Sequence, residues 1–481
     1  MVVAAGSVGL AAFAGALALL GESSSSSVER PVQAMRASPT ATKAAQPAQQ
    51  ALRCPNGRPY FNYHEPLRAG ALTLSSLFDG RGRVQPIGNA ETLSFQLGPL
   101  NGRVDPISDN RTQMIPWRGY YYAVERLHYT GSSPGAGGAG HWNLFLFKST
   151  DGKSLQLVPG RSPNRAMLSP ATLGPAGQAY DAHVIVDYCS GPYDPARPDS
   201  GITFVMTFEC TGLPGLPKGG GVCQSTSNDI SDPNSWSRPR SVFTTSDNDH
   251  IVAGYPTMLW TGRADSTVIY AAATRELPSP QGAKETTRYL PRLVSYVSGR
   301  PTDIASAPHM MNSQPLATCA TSSAQTASWD CNNRVVTDWK KEGDAYYVAF
   351  VGANYFDGVL PRATADLNAD VRRTREEVAS NVKYMPFAQY RGRAANKITQ
   401  NRWAFSFARV VGSPFQDYTS ARSRATFRVQ APISNRDFAG ISSPVVNVVG
   451  GRMYVYYSLY EYDRAGNPVG KVKRSLIVAR Q

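Results

Sequence analysis

The sequence of 481 residues has little charge, no metal-binding motif of the zinc-finger type and few long hydrophobic segments. Charged residues make up only 17% of it, whereas 42% are hydrophobic, a balance that excludes a disordered polyelectrolyte. The six cysteines include no CxxC pair and the six histidines are dispersed, so a zinc site is not expected. After the first 21 residues no apolar run approaches the length of a membrane span. The body of the chain is therefore expected to form a globular fold.

The charge that is present is unbalanced. The chain has 49 Lys and Arg against 35 Asp and Glu, a net charge of +14, and 38 of the basic residues are arginine. A bias in the base composition of the gene accounts for this excess without a function. The alternative is an anionic partner, because guanidinium groups bind carboxylates and phosphates in bidentate fashion. Nucleic acid is disfavoured as the partner, since the arginines are scattered and no basic helix or zinc-finger spacing occurs.

The N-terminal residues predict export. Residues 1–21 carry no charge and include an apolar run from Leu10 to Leu20. This is typical of a signal peptide, although the usual basic start is missing, or of an uncleaved membrane anchor. Residues 22–53 are rich in Ser, Ala, Pro and Gln and lack a hydrophobic period, so we expect a disordered linker. The protein is thus predicted to be secreted or extracytoplasmic, either free or anchored at its N terminus.

The cysteines fit this compartment, because disulfide bonds persist in oxidising environments. Two of the expected bridges join cysteines that are close in sequence, and the third would tie the N-terminal segment to the domain. Six cysteines allow fifteen pairings, so the connectivity is a hypothesis. The predicted pairs are Cys210 with Cys223, Cys319 with Cys331, and Cys54 with Cys189.

A pattern of two strands recurs five times along the body of the chain. Each copy is a short apolar strand, a turn, and then a strand rich in aromatic and β-branched residues. The aromatic strands begin near positions 120, 203, 268, 346 and 453. Each unit has on the order of 84 residues, enough for a four-stranded propeller blade with long loops. We predict an all-β fold, a five-bladed β-propeller over residues 54–481. A β-sandwich is the alternative, but radial closure protects the sheet edges.

The fourth unit contains an insertion. The fourth and fifth aromatic strands begin 107 residues apart, and the excess lies at about 357–401. Within it, residues 363–385 are rich in charge and lack the alternation of a strand. We expect one exposed helix of a few turns, with its charges on a solvated face.

Two stretches resemble the five-bladed β-propeller glycosidases, the superfamily of the glycoside hydrolase family 43 arabinofuranosidases and xylosidases. Residues 180–187 read Tyr-Asp-Ala-His-Val-Ile-Val-Asp and look like that family's Asp-Pro-His-Val strand, with alanine in place of proline. Residues 224–236 are similar to its Ser-x-Asp…Trp outer strands. The resemblance implies an inverting glycosidase, with a base Asp in the first blade, an orienting Asp in the second and an acid Glu in the third.

Few of that family's catalytic residues can be matched to positions in this sequence. Asp181 corresponds to the second-blade Asp, and Asp109 lies near the position of the base. The third-blade segment 253–256 reads Ala-Gly-Tyr-Pro, so the expected Glu is absent. Substitutes for the acid are Asp249, before the third unit, and Asp330, before the fourth.

Two glutamates within strands, Glu125 and Glu209, are further substitutes for the acid. Carboxylates that converge in one funnel repel each other, which raises the pKa of some of them enough for acid catalysis. The aspartates near the strand starts have a simpler explanation, because Asp commonly caps turns. The predicted catalytic set is Asp109, Asp181, Asp249 and Asp330.

Residues suited to binding sugars occur near the same strand ends. Aromatic faces stack on sugar rings and histidines donate to hydroxyl groups, although core packing explains such residues as well. The predicted substrate-binding residues are His183, His250, Tyr255, Trp260, Trp329 and Asn332.

Three functions fit these observations. The first is an exported glycoside hydrolase that cleaves a plant or microbial polysaccharide by carboxylate acid/base catalysis, with the arabinose- or xylose-type glycosides that the resemblance implies. The second is a non-catalytic carbohydrate-binding propeller, which the missing Glu favours. The third is a polysaccharide lyase for uronate-containing glycans, which would use the excess arginine. No cofactor is expected; a structural Ca²⁺ ion is compatible with the chain, although no ligand loop marks a site.

Overall fold

The computed structural model describes residues 51–104, 111–129, 141–162, 165–168, 170–173, 177–213, 216, 221–244, 252–259, 268–278, 284–295, 302–303, 333–353, 404–411, 427–430, 438–462 and 468–480. Several predictions fall outside these residues. They concern the signal or anchor segment 1–21, most of the linker 22–53, the helical insertion at about 357–401 and the Cys319–Cys331 bridge. The division into these domains stays a prediction.

The described chain is almost entirely β-structure, in five main sheets that follow one another along the sequence. Sheet I contains β5 (Ser94–Gln96), β6 (Ile115–Trp117), β7 (Tyr120–Tyr129), β8 (His141–Ser149) and β9 (Ser154–Val158). Sheet II contains β10 (Ala179–Asp187), β11 (Thr203–Cys210), β12 (Gly221–Ser227) and β13 (Arg240–Ser241). Sheet III contains β15 (Val252–Leu259), β16 (Val268–Pro278) and β17 (Lys284–Ser295). Sheet IV contains β19 (Asn333–Glu342), β20 (Ala345–Ala353), β21 (Ala404–Val411) and β22 (Phe427–Gln430).

Sheet V joins the last three strands to two from the N-terminal region. It contains β23 (Phe438–Val449), β24 (Arg452–Tyr462), β25 (Pro468–Ala479), β3 (Gly82–Val84) and β4 (Glu91–Thr92). Two small pairs complete the strands: β1 (Leu52–Arg53) with β2 (Pro59–Tyr60), and β14 (Phe243–Thr244) with β18 (Thr302–Asp303). The described helices are α1 (Leu74–Phe78), α2 (Pro170–Leu173) and the 3₁₀ turns Ile87–Asn89 and Gly98–Leu100. None of these helices is long and apolar enough to cross a membrane.

The predicted two-strand repeat is confirmed in all five sheets. Each copy is an antiparallel pair: β6 with β7, β10 with β11, β15 with β16, β19 with β20 and β23 with β24. The turn between β6 and β7 is tight because Arg118 and Gly119 both have left-handed backbone, with φ of 46° and 82°, as two-residue hairpins of this kind require. Alternating aromatic and β-branched residues form these strands because such side chains pack well on a pleated surface.

The five sheets have a propeller-like, cyclic arrangement. We call the first strands of the repeat pairs, β6, β10, β15, β19 and β23, the inner strands. Strand β10 contacts β7 and β15, β15 contacts β19, and β19 contacts β23. The ring returns to sheet I at Asn447, whose side chain accepts from the backbone N of Met114 at 2.8 Å and donates to the carbonyl of Thr112 at 2.9 Å. The predicted all-β propeller class is confirmed. Sheets I, II, IV and V have four or five strands, whereas sheet III has three among the described residues.

Three apolar cores lie between neighbouring sheets. One joins sheets I and II, another joins sheets IV and V beneath α1, and the third joins sheets I and V. Burial on both faces explains why the strands read as nearly continuous hydrophobic runs. These cores fix the inner strands side by side, which brings residues distant in sequence to a common axis.

Residues 54–68 cross the sheets at the end where the inner strands terminate. Asn56 donates to the carbonyl of Gly191 after β10, at 2.7 Å. Tyr63 donates to Glu342 at the end of β19. Glu65 accepts from Tyr121 at the start of β7, at 2.7 Å, and from the backbone N of Gly451 between β23 and β24, at 2.6 Å. The segment therefore links sheets II, IV, I and V at one end of the ring.

Two of the predicted disulfide bonds are present. Cys54 is bonded to Cys189, which anchors residues 54–68 to sheet II, and Cys210 is bonded to Cys223 across the β11–β12 hairpin. Both bridges are among the three predicted pairs. Among the described cysteines none is left unpaired.

Candidate functional site

Four inner strands carry a β-bulge at a similar depth. The pairing register shifts between Tyr180 and His183 in β10, between Gly254 and Thr257 in β15, between Val336 and Asp338 in β19, and between Ser442 and Val445 in β23. A bulge bends a strand and re-aims the side chains beside it. Here the irregular positions bring polar groups towards the axis of the ring, which a regular strand would not do.

Asp181 lies on the bulge of β10 in a strained conformation. Its φ is 45°, in the left-handed region that is costly for residues other than glycine. The surrounding structure must therefore hold it. Arg111 donates through Nη2 to the Asp181 carbonyl, and Nη1 of Arg126 lies 3.5 Å from the carboxylate Oδ2. Arg126 belongs to β7 and Arg111 lies just before β6, so sheet I and the segment leading into β6 fix the side chain and the backbone of Asp181.

Arg111 connects three sheets. It is 3% exposed, and its Nη1 donates to the carbonyl of Pro256 at 2.7 Å and to the hydroxyl of Thr257 at 2.9 Å. Thr257 in turn donates to the carbonyl of Val336 at 3.0 Å. The guanidinium thus replaces ladder hydrogen bonds that the bulges interrupt, which satisfies buried carbonyl groups.

A second polar cluster lies on the axis around Asp338. The carboxylate is 1% exposed and accepts from Lys340 Nζ at 2.9 Å and from the backbone N of Val446 at 2.8 Å. Nε2 of His183 lies 3.6 Å from Oδ1. Burial alone would raise the pKa of Asp338, but Lys340, His183 and the backbone donor hold it below its usual value. Asp338 is therefore ionised at neutral pH.

His183 contacts the other sheets from the same cluster. Its Nε2 lies 3.2 Å from Gln113 Nε2, and its Nδ1 accepts from the backbone N of Met258 at 3.4 Å. Burial lowers the pKa of His183 to about 4, although Asp338 opposes this shift. The imidazole is therefore neutral at physiological pH. The cluster joins Gln113, just before β6, to sheets II, III, IV and V.

Glu125, one of the substitutes proposed for the acid, is completely buried on β7. Burial raises its pKa to about 8, an effect that Thr112 and the charge of Arg126 only partly offset. Successive side chains of a strand point to opposite faces, so Glu125 faces the core between sheets I and V while Arg126 faces Asp181. Glu125 is a protonated acid, but it lies on the wrong side of its strand to reach a ligand at Asp181.

The structure describes two of the predicted site residues in full. Asp181 and His183 are both on β10, and both are nearly buried, at 3% and 2% exposure. Tyr255 is placed within β15, but its side chain lies outside the described structure. The remaining predicted site residues lie outside the described residues: Asp109, Asp249, His250, Trp260, Trp329, Asp330 and Asn332.

Four residues of the candidate site were not predicted from the sequence: Arg111, Arg126, Asp338 and Lys340. Arg111 lies just before the first apolar strand of the repeat, and Asp338 lies two residues beyond the Val335-Val336 run of the fourth copy. Charged residues within or beside a strand that is otherwise buried were the available signal. Among the described residues no three His, Cys, Asp or Glu side chains are grouped as a metal site.

Comparisons with known proteins give structural likenesses only. No family model matches the chain, and no curated protein matches its sequence. A solved structure named as a glycoside hydrolase is similar at 11% identity over 85% of this chain and 97% of its own, with a TM-score of 0.44. A thermostable family-43 glycoside hydrolase gives 10% identity over 81% and 96%, with a TM-score of 0.42. An exo-1,5-α-L-arabinanase from a bovine ruminal metagenomic library gives 12% identity over 79% and 98%, with a TM-score of 0.40.

Proposed function

We propose that the protein is an exported glycoside hydrolase acting on a plant or microbial polysaccharide, with arabinose- or xylose-type glycosides as its first candidate substrates. The observation that carries the proposal is the strained Asp181, held on a bulge by Arg111 and Arg126. Strained residues over-determined by their surroundings cluster at functional sites. A carboxylate fixed at the start of an inner strand is suited to orient a sugar or tune a catalytic partner.

The proposed chemistry needs further carboxylates at the same end of the ring. An inverting hydrolase requires one carboxylate to activate water and a protonated one to donate to the leaving oxygen. Arg126 pairs with the Asp181 carboxylate and Arg111 holds its backbone, so we assign Asp181 the orienting role rather than that of the acid. Asp109, Asp249 and Asp330 are the proposed base and acid candidates. The proposal includes five blades, with sheet III as the third.

Export is supported by the two disulfide bonds, since such bonds persist outside the reducing cytosol. The N-terminal segment 1–21 would supply the signal or anchor. No cofactor is proposed for the reaction.

The test compares wild type with Asp181→Asn in the hydrolysis of arabinan and xylan, which is measured by the release of reducing ends. We expect Asp181→Asn to abolish hydrolysis while the protein stays folded at the assay temperature, although its thermal unfolding midpoint should fall below that of wild type because the buried Arg126 loses its charge partner. Asp187→Asn is the matched control: the same strand ends at Asp187, whose Oδ1 accepts from the backbone N of Cys189 and of Ser190 at 3.0 Å, and an asparagine keeps that acceptor. Full activity in Asp181→Asn would remove this residue from the site.

A non-catalytic carbohydrate-binding propeller is the second candidate, because residues 253–256 lack the glutamate expected of the acid. Binding of a polysaccharide without release of reducing ends, and unchanged in Asp181→Asn, would establish it. A lyase acting on polygalacturonate would instead release products with the absorbance of an unsaturated uronate.

A further inference from the structure

Two inner strands carry a strained residue at the same position. Asp181 in β10 and Ser443 in β23 have φ of 45° and 53°, the left-handed backbone that is costly for residues other than glycine. Each lies two residues before the five regular pairs that end its inner strand, His183–Asp187 in β10 and Val445–Val449 in β23. Ser443 is therefore the counterpart in sheet V of Asp181 in sheet II.

The two residues lie on either side of sheet I, at the end of the ring where the inner strands begin. The ring runs from sheet II through sheets III and IV to sheet V, and returns to sheet I at Asn447, four residues after Ser443. On the other side, Arg111 just before β6 donates to the carbonyl of Asp181. A ligand in front of sheet I at this end of the axis would meet a carboxylate on one side and a hydroxyl group on the other.

Sheet IV holds the backbone beside Ser443 in place. The Thr337 hydroxyl of β19 donates to the carbonyl of Pro444 at 2.6 Å, and Oδ2 of Asp338 accepts from the backbone N of Val446 at 2.8 Å. The proline also restricts the backbone of the residue before it. Strained residues that the surrounding structure over-determines in this way cluster at functional sites.

A role in the backbone alone does not explain the serine, because glycine adopts left-handed backbone without strain. Among the described residues with such backbone, twelve are glycine and five are not. Of those five only Asp181 and Ser443 are buried, at 3% and 4% exposure. Low exposure fits residues that meet a ligand inside a pocket, since pockets bury most of a ligand's surface. A buried serine kept in place of glycine indicates that its hydroxyl group is used.

We propose that Ser443 is a substrate-binding residue that forms a hydrogen bond with a hydroxyl group of the sugar unit held at Asp181. This rests on the proposed carbohydrate function. A serine hydroxyl both donates and accepts, whereas an ionised carboxylate only accepts. Ser443 can therefore bind a sugar in addition to its contacts within the chain. Together the two residues would fix the orientation of the sugar from both sides of sheet I.

The test compares Ser443→Ala with Ser443→Gly by affinity electrophoresis of the full chain, in gels containing arabinan, xylan or polygalacturonate. Both variants lose the hydroxyl group, so each should weaken binding about fivefold in whichever gel retards wild type. Only glycine relieves the left-handed backbone. Ser443→Gly should thus unfold at a higher temperature than Ser443→Ala, which reverses the usual order of glycine and alanine within a strand.

Arg165→Gly is the matched control. Arg165 also has left-handed backbone, with φ of 63°, but it is exposed and lies between β9 and α2. The same relief of backbone strain there should leave the retardation of the protein unchanged.

The outcomes separate the two proposals. Retardation of both Ser443 variants equal to that of wild type, or an equal loss in Arg165→Gly, would overturn Ser443 as a binding residue. A lower unfolding temperature for Ser443→Gly than for Ser443→Ala would also overturn it, because the backbone would then not be strained. Weaker retardation of both variants, without hydrolysis of the same polysaccharide by wild type, would support Ser443 and overturn the hydrolase. No retardation of wild type in any of the three gels would overturn both.

Discussion

Nη1 of Arg126 lies 3.5 Å from Oδ2 of Asp181, and the two side chains are 7% and 2% exposed. Removing one partner of a buried ion pair leaves the other charge without compensation, which costs about 3 to 5 kcal/mol. Arg126→Met should therefore lower the free energy of unfolding by about that amount, as measured by urea denaturation. The double variant Arg126→Met with Asp181→Asn should recover part of the loss, because neither charge of the pair remains. Simple additivity of the two single variants would show that the pair is not coupled.

The lowered pKa of His183 should make the folded protein less stable in acid. Its pKa is about 4 in the folded protein and about 6.5 when unfolded. Between these values the unfolded chain binds more protons, so stability is complete above about pH 6.5 and falls as the pH drops towards 4. Thermal unfolding across this range should show a steeper fall for wild type than for His183→Gln. Parallel curves for the two proteins would contradict a neutral, buried imidazole.

The raised pKa of Glu125 should make the free energy of unfolding depend on pH with the opposite sign. Its pKa is about 8 in the folded protein and about 4.5 when unfolded, so the folded state binds more protons between these values. Stability is therefore greatest below about pH 4.5 and declines as the pH rises to 8. Glu125→Gln keeps the shape of the neutral acid and should be more stable than wild type at pH 8 but not at pH 4.5. A lower unfolding midpoint for Glu125→Gln at pH 8 would contradict this.

The two described disulfide bonds should contribute unequally to stability. Cys54 and Cys189 are 135 residues apart, whereas Cys210 and Cys223 are 13 apart. In the chain-entropy model these loops correspond to about 5 and about 3 kcal/mol. Replacing both cysteines of the longer loop by serine should thus lower the urea midpoint more than the same change in the β11–β12 hairpin. The reverse order would indicate that residues 54–68 are held by their hydrogen bonds and not by the bridge.

The strand pairs and the Cys210–Cys223 bridge could be predicted because their signals are local, whereas Cys54 and Cys189, which are 135 residues apart, were paired only as the remaining two cysteines. Alternation in β7 or β24 is visible within ten residues, and Cys210 and Cys223 flank one turn. The buried polar contacts between the inner strands could not be predicted from the sequence. Arg111 and Asp181, for example, are 70 residues apart and meet only when sheets I and II pack. Of the groups around Asp338 only Lys340 is near in sequence, because the others come from β10 and β23. Strands as short as β3 and β4 contain too few residues to show a period.

The pairing of β3 with β25 sets a condition on the order of events during synthesis. Val84 pairs with Ile477, so sheet V lacks its final neighbour until nearly all of the described chain has left the ribosome. Sheets II to IV consist of consecutive strands and need no such distant partner. Contacts of large sequence separation form slowly, because a long loop must close first. In a nascent chain, sheets II to IV could thus form before β3 and β4 can pair with β25. Until then β3 and β4 would have unpaired edges with which other chains could pair.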